Sequence, residues 1–255
     1  METNVYIDGF NFYYGVFKRN SDDPERDHLQ YQKWVDLRCM TSRIFPRSTI
    51  ADIYYFTARV EGDPGQALRQ NVYLRALESV GVQSFFGTFK PRTRTGPLVG
   101  TVEVPGVGIC VAGIHPGGAG TNLRRARDTP LGLVEIPELG ISTTAFASMK
   151  GWEEKGSDVH LAARLVADAI RGRFEQAMVI SNDADLAPAI ALARRESSLR
   201  IHVASPRRKI PAELRQAATS AFPLKRTVIP DCQLPSNVVL ADGTVLHRPR
   251  EWTSP

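Results

Sequence analysis

The sequence predicts an α/β fold with a mainly parallel central sheet and helices on both faces. Two observations carry this. Short β-prone runs alternate with stretches of helical periodicity over most of the 255 residues. One run, Ala177-Met178-Val179-Ile180-Ser181, is apolar without alternation, as suits a strand buried on both faces. A hydrophobic content of 42% with 23% charged residues gives material for one large domain or two small ones.

In chain order, Asn4-Val5-Tyr6-Ile7 reads as a buried strand that ends in a turn at Asp8-Gly9. Trp34, Leu37, Met40, Thr41 and Ile44 recur at helical spacing until Pro46. Residues 50–57 read as a second strand, and Val72, Tyr73, Ala76, Leu77 and Val80 as the face of a helix closed by Gly81. Residues 82–86 supply a third strand. The pattern breaks at about 90–149, a stretch rich in Gly, Pro and Thr that reads as an insertion with a small β-hairpin element, because so long a structureless loop is unusual in a compact domain.

Alternation then resumes. Ser157 is the expected N-cap of a helix carrying Asp158 in its first turn and Ala162, Leu165, Val166, Ala169 and Ile170 on one side. After the strand ending at Ser181, a helix begins near Asp185 with Pro188 in its first turn. Arg200–Ala204 is the next strand, and Pro211 opens a last short helix. The expected division is a domain over residues 1–222, interrupted at about 90–149, and an irregular tail over 223–255.

The formal net charge of +5 and a pI near 9.2 suit a polyanionic partner without requiring one. Basic residues cluster at Lys90–Arg94, Arg124–Arg127 and Arg207–Lys209. No apolar run is long enough for a membrane span, and the first residues lack the pattern of a signal peptide, so the expected location is cytoplasmic. Cys39, Cys110 and Cys232 are far apart and odd in number, which predicts three reduced thiols.

Four acidic residues carry the chemistry. Asp8 ends the first strand, and Asp183 and Asp185 follow the strand ending at Ser181, where open α/β sheets form their sites. Asp158 opens a helix that faces the same crevice if it packs beside the first strand. Each alone reads most simply as a turn or cap residue; DGFN, KGSD and SNDAD occurring together are harder to ascribe to caps. Converging carboxylates need a counter-charge, and Mg²⁺ or Mn²⁺ supplies it through hard oxygen ligands. Such an ion activates water for attack on a phosphodiester. Asn11 suits a water or phosphate oxygen, and Ser181 and Asn182 suit hydrogen bonds that orient Asp183. Lys155 is placed for phosphate or for balancing the acids. His115 and His160 read as incidental. Among Phe10, Phe12, Tyr13 and Tyr14, most read as core, with one or two for base stacking.

The order Tyr6-Ile7-Asp8-Gly9-Phe10-Asn11, then Lys155-Gly156-Ser157-Asp158, then Val179-Ile180-Ser181-Asn182-Asp183-Ala184-Asp185-Leu186 resembles the NYN domain family of PIN-like nucleases. The resemblance covers roughly residues 3–90 and 150–222, and the tail from Gln233 to Trp252 also resembles that of some members. It implies a three-layer PIN-like fold and a metal-dependent ribonuclease with Asp8, Asp158, Asp183 and Asp185 as the acidic cluster and Asn11 beside it. Leu186 stands where many relatives have Phe, and the long insertion stands where some carry paired cysteines. The implied partner is RNA, single-stranded near the cut, with a homo-oligomer allowed. A non-catalytic RNA-binding or regulatory module on the same fold is the alternative. An aspartyl phosphatase centred on Asp8 is disfavoured, because Phe10 occupies the position of its usual second aspartate.

Overall fold

The computed structural model describes residues 1–18, 29–97, 101–104, 108–111, 133–136, 141–144 and 146–253. The chain divides into two compact units, Met1–Phe89 with Glu154–Pro255, and Lys90–Glu153. His115, the Gly113–Gly120 run and the Arg124–Arg127 cluster lie outside the described residues.

The larger unit is built on β1 (Glu2–Asp8), β2 (Thr49–Ala58), β9 (Gln176–Ile180), β10 (Arg200–Ser205), β11 (Ser220–Pro223) and the first half of β3 (Val82–Pro97); the strand order is β11-β10-β9-β1-β2-β3-β8, and β8 (Phe146–Lys155) belongs almost wholly to the smaller unit. The pairings of β1 with β2 and β9, of β2 with β3, and of β10 with β9 and β11 are all parallel. Period-two alternation divides each strand between two cores. Val5 and Ile7 of β1 join the first, packed against α1 (Gly9–Val16), α2 (Leu37–Ile44) and α3 (Pro64–Ser79). Tyr6 faces the second, under α4 (Ser157–Ile170), α5 (Ala187–Ser197) and α6 (Ala212–Ala217). The expected three layers are present, and β9 is buried at every position.

In the smaller unit, β4 (Thr101–Val104) pairs antiparallel with β5 (Gly108–Val111), and β6 (Leu133–Ile136) with β7 (Ile141–Thr144).

Three local expectations change. The expected turn after Asp8 is the start of α1, because the Asp8 side chain accepts the backbone N–H of Asn11 at 2.9 Å and so caps a helix directly at the strand end. Ser157 is not the cap of α4. Gly156 is, at φ 98°, a left-handed conformation that suits glycine, and the N–H of Ser157 is met by Glu154 Oε1 at 2.9 Å. The tail contains some regular structure. It forms the antiparallel pair β12 (Asn237–Val239) and β13 (Val245–His247), and it buries Leu234, Val238, Leu246 and Trp252 in the first core.

The thiol expectation is corrected as well. Cys39 and Cys232 form a disulfide with Cα atoms 5.5 Å apart, across a sequence separation of 193. The tail runs antiparallel past the entry to α2, with Asp36 N–H donating to Cys232 O at 2.9 Å and Leu234 N–H to Trp34 O at 2.9 Å. That pairing places Cys232 beside the first turn of α2, a proximity that spacing along the chain does not reveal.

Candidate active site

The strand order fixes where a site forms. From β1 the chain proceeds to β2 and β3 on one side, and later places β9 on the other, so the switch point at which such sheets offer a crevice lies beyond the carboxyl ends of β1 and β9. The register pairs Ile7 with Ile180, which sets Asp8 and Ser181 level at its mouth.

Asp8 is 2% exposed and held by three hydrogen bonds. Its Oδ1 accepts from Asn11 N at 2.9 Å, and its Oδ2 accepts from Asn11 Nδ2 at 2.7 Å and from Ser181 Oγ at 2.9 Å. Burial pushes its carboxyl above the usual range; the bonds from Asn11 and Ser181 oppose this, and the charge of Asp183 adds to it. Gly9 permits the close passage of α1 over β2, since a Cβ there would lie 2.8 Å from Phe56 O.

Ser181 joins Asp8 to the second acidic motif. Its Oγ also accepts the N–H of Asp183 at 3.0 Å, and Asp183 Oδ1 accepts the N–H of Asp185 at 3.0 Å, capping a short 3-10 turn over Ala184–Leu186. Asp183 therefore serves as a cap and as a carboxylate at the crevice. Asp185 is exposed. Asn182 does not bond to Asp183; its Oδ1 accepts from Ser205 Oγ at 2.5 Å, tying the end of β9 to the end of β10.

Asp158 arrives on α4. Leu161 and Leu165 of that helix are buried against the sheet, and Asp158 lies one turn before Leu161 on the same face. Burial, then the charges of Asp8, Asp183, Glu154 and Asp185, push its carboxyl up to about 7. The other three sequence-chosen acids thus all act on this one carboxyl. Glu154 is a fifth member that sequence reasoning missed. The available signal was an acidic residue three positions before a helix start, the spacing at which it meets the N–H of Ser157. Gly87 of β3 makes room for this junction: a Cβ there would collide with Glu154 Oε1 and lie 2.7 Å from Lys155 O and 2.9 Å from Ser157 N. Lys155 and His160 are exposed.

Among the described residues, no group of three or more His, Cys, Asp or Glu side chains is arranged so that it could hold a metal ion. The donor chemistry nevertheless fits a hard divalent cation. Carboxylate oxygens dominate, and a carboxyl lifted to about 7 by burial and acidic neighbours is one that a cation would relieve. Mg²⁺ commonly keeps several waters, so it does not need every carboxylate in direct contact.

Residues 120–225 match the family model of the NYN domain. The match contains the KGSD and SNDAD motifs; the DGFN motif precedes it. The chain is 26% identical over 224 residues to 6-hydroxy-3-succinoylpyridine 3-monooxygenase HspA of Pseudomonas putida, covering 81% of this chain and 60% of the relative, so it spans less than two thirds of that protein's length. A crystal structure of a protein of unknown function from Vibrio parahaemolyticus aligns at a TM-score of 0.46 with 12% identity, over 91% of this chain and 96% of that one. No helix among the described residues is long and apolar enough to cross a membrane.

Proposed function

We propose, for a chain whose residues 120–225 match the NYN domain model, that it is a metal-dependent ribonuclease whose centre lies beyond the ends of β1 and β9. The observation that carries this reading is the Ser181 hydroxyl, which donates to Asp8 Oδ2 and accepts the N–H of Asp183, holding the two strand-end acids side by side; burial and the charges of Asp8, Asp183, Glu154 and Asp185 push the Asp158 carboxyl up. The metal ligands in this reading are Asp8, Asp158, Asp183 and Asp185, with Mg²⁺ or Mn²⁺ as the ion. When bound, the ion supplies positive charge and Lewis acidity to water and to phosphoryl oxygens.

The chain's own residues supply orientation. Asp8 is fixed by Asn11 and Ser181 before any ligand arrives, so its direction is set at no further entropic cost. Asn11 commits one Nδ2 hydrogen to Asp8, leaving its second hydrogen and Oδ1 for a substrate oxygen or a water. Ser181 locks the spacing between Asp8 and Asp183. Asn182, through Ser205, steadies the rim, and Lys155, exposed just before α4, is a candidate contact for phosphate.

The test is cleavage of labelled single-stranded RNA with Mg²⁺ or Mn²⁺, comparing wild type with Asp8→Asn and Asp183→Asn. We expect each substitution, or EDTA, to reduce cleavage by about a hundredfold or more. Cleavage that survives both would overturn the proposal. RNA binding without cleavage in either metal would instead favour a non-catalytic RNA-binding module.

A further inference from the structure

The helix that begins at Asp8 carries an outward aromatic face that the proposed chemistry does not use. On α1, Phe12, Gly15 and Val16 are buried, whereas Phe10 and Tyr14 are half-buried and Tyr13 is 38% exposed. The Phe10 and Tyr14 rings stack at 6.4 Å, Phe10 meets Phe89 edge-on at 5.9 Å, and Tyr13 meets Tyr14 at 5.4 Å. The result is a continuous ring surface. Cations border it: Lys18 Nζ lies 5.2 Å from the Tyr14 ring, and Lys33 Nζ lies 5.3 Å from the Tyr13 ring.

The far end of the same helix is joined to a basic turn. Gly15 abuts Pro206 so closely that a Cβ would collide with its ring, and Arg226 Nη2 donates to Pro206 O at 2.8 Å and to Gly15 O at 3.4 Å. Ser205 Oγ accepts from Arg207 N at 3.1 Å and lies 2.8 Å from Arg207 O, which shapes the turn. Arg207, Arg208 and Lys209 are exposed on it. Helix α1 therefore begins at an acid, carries the rings, and ends against the residue that precedes the basic turn.

We propose that this surface is the track along which single-stranded RNA leaves the carboxylate crevice, with bases stacked on Tyr13 and its neighbours and phosphates held by the turn Arg207–Lys209. The inference rests on the ribonuclease reading for the identity of the polymer. Its physical basis is separate. An exposed aromatic ring beside cations matches the two faces of an unpaired nucleotide, a flat π surface and a charged backbone. A duplex hides its base faces and cannot use the rings.

The experiment measures binding without turnover, on the full chain in EDTA, by fluorescence anisotropy. The probes are a fluorescein-labelled uridine 15-mer, an abasic oligomer of the same length, and a duplex RNA. Tyr13→Ala should weaken binding of the uridine oligomer about five- to a hundredfold and leave that of the abasic oligomer unchanged. Tyr13→Phe should restore wild-type affinity. Arg207→Ala with Lys209→Ala should weaken both single strands alike and lower the slope of log affinity against log salt by about 0.7 for each phosphate no longer neutralised. Tyr13 is on the surface, so unchanged melting of Tyr13→Ala is the check that folding is intact. Equal binding of the abasic and uridine oligomers, or of the duplex and the single strand, would overturn the track. Because no cleavage is read, a failed nuclease assay with these binding differences intact would sink the catalytic reading and leave the track standing.

Discussion

Ser181 donates its hydroxyl to Asp8 Oδ2 at 2.9 Å, across the crevice between two parallel strands, from a position 173 residues away in sequence. The same hydroxyl oxygen accepts from Asp183 N at 3.0 Å, so one side chain sets the distance between the two acids at the strand ends. Ser181→Ala removes both bonds in a buried setting. We expect a loss of about 1–3 kcal/mol in stability, read as a lower urea midpoint, and at least a tenfold fall in kcat with little change in KM. Cleavage at the wild-type rate would show that the spacing has no catalytic role.

Asp158 predicts a pH dependence. Its carboxyl titrates at about 7 in the folded chain against 3.8 for the unperturbed group. A raised carboxyl binds its proton more tightly when folded, so it costs nothing below pH 3.8 and opposes folding increasingly as pH rises to about 7. Asp158→Asn removes that cost. In EDTA, the variant should melt at nearly the wild-type temperature at pH 4 and above it at pH 8. Solvent screening at this partly exposed group limits the gain to about 1 kcal/mol, or about 2–4 °C. A gap that shrinks with rising pH would contradict the assigned sign. Cleavage by this variant should be lost throughout.

Gly87→Ala tests the support beneath Asp158. The added methyl would meet Lys155 O and Ser157 N at 2.7 and 2.9 Å and force Glu154 off its capping bond. Overpacking of this kind costs about 1–3 kcal/mol, and a shift of about 1 Å in α4 would lower turnover about a hundredfold. Gly151→Ala, with nothing within 4 Å of its added carbon, should be neutral. Equal melting temperatures and rates for the two variants would exclude the crowding account.

A buried polar group anchors the other end of α4. Asp168 is fully buried, and its Oδ2 accepts from Tyr6 OH at 3.0 Å and from Arg164 Nε at 2.6 Å; Arg164 also donates to Tyr54 OH at 2.8 Å. Arg164→Met should destabilise by about 3 kcal/mol, because it leaves a buried carboxylate short of a partner. Arg164→Met with Asp168→Leu should recover most of that loss. Chemical denaturation of the single and double variants decides the matter, and additive losses would show that the pair is not coupled.

The alternating strands, the three layers and the strand-end acids Asp8 and Asp183 are legible in the sequence because strand termini and buried runs leave local signatures. Helix α1 is not, since eight residues beginning Gly-Phe-Asn-Phe show no clear helical period and are fixed by the cap that Asp8 provides. Glu154 leaves only the weak signal of an acid three positions before a helix start, because its place depends on a left-handed Gly156 and on an open spot at Gly87, both properties of the folded backbone. Asn182 sits beside Asp183 in sequence, which suggests a bond between them, but its partner, Ser205, comes from a neighbouring strand that no motif specifies.

The bond between Cys39 and Cys232 also gives the molecule a closed covalent outline. A protease cut at any point between those residues, including anywhere in Lys90–Glu153, leaves two fragments held as one species by sulfur. Such a nicked chain would run as a single band without reductant and as two bands with it. Its two halves would have no opportunity to diffuse apart, so each unfolding event would remain a one-molecule process.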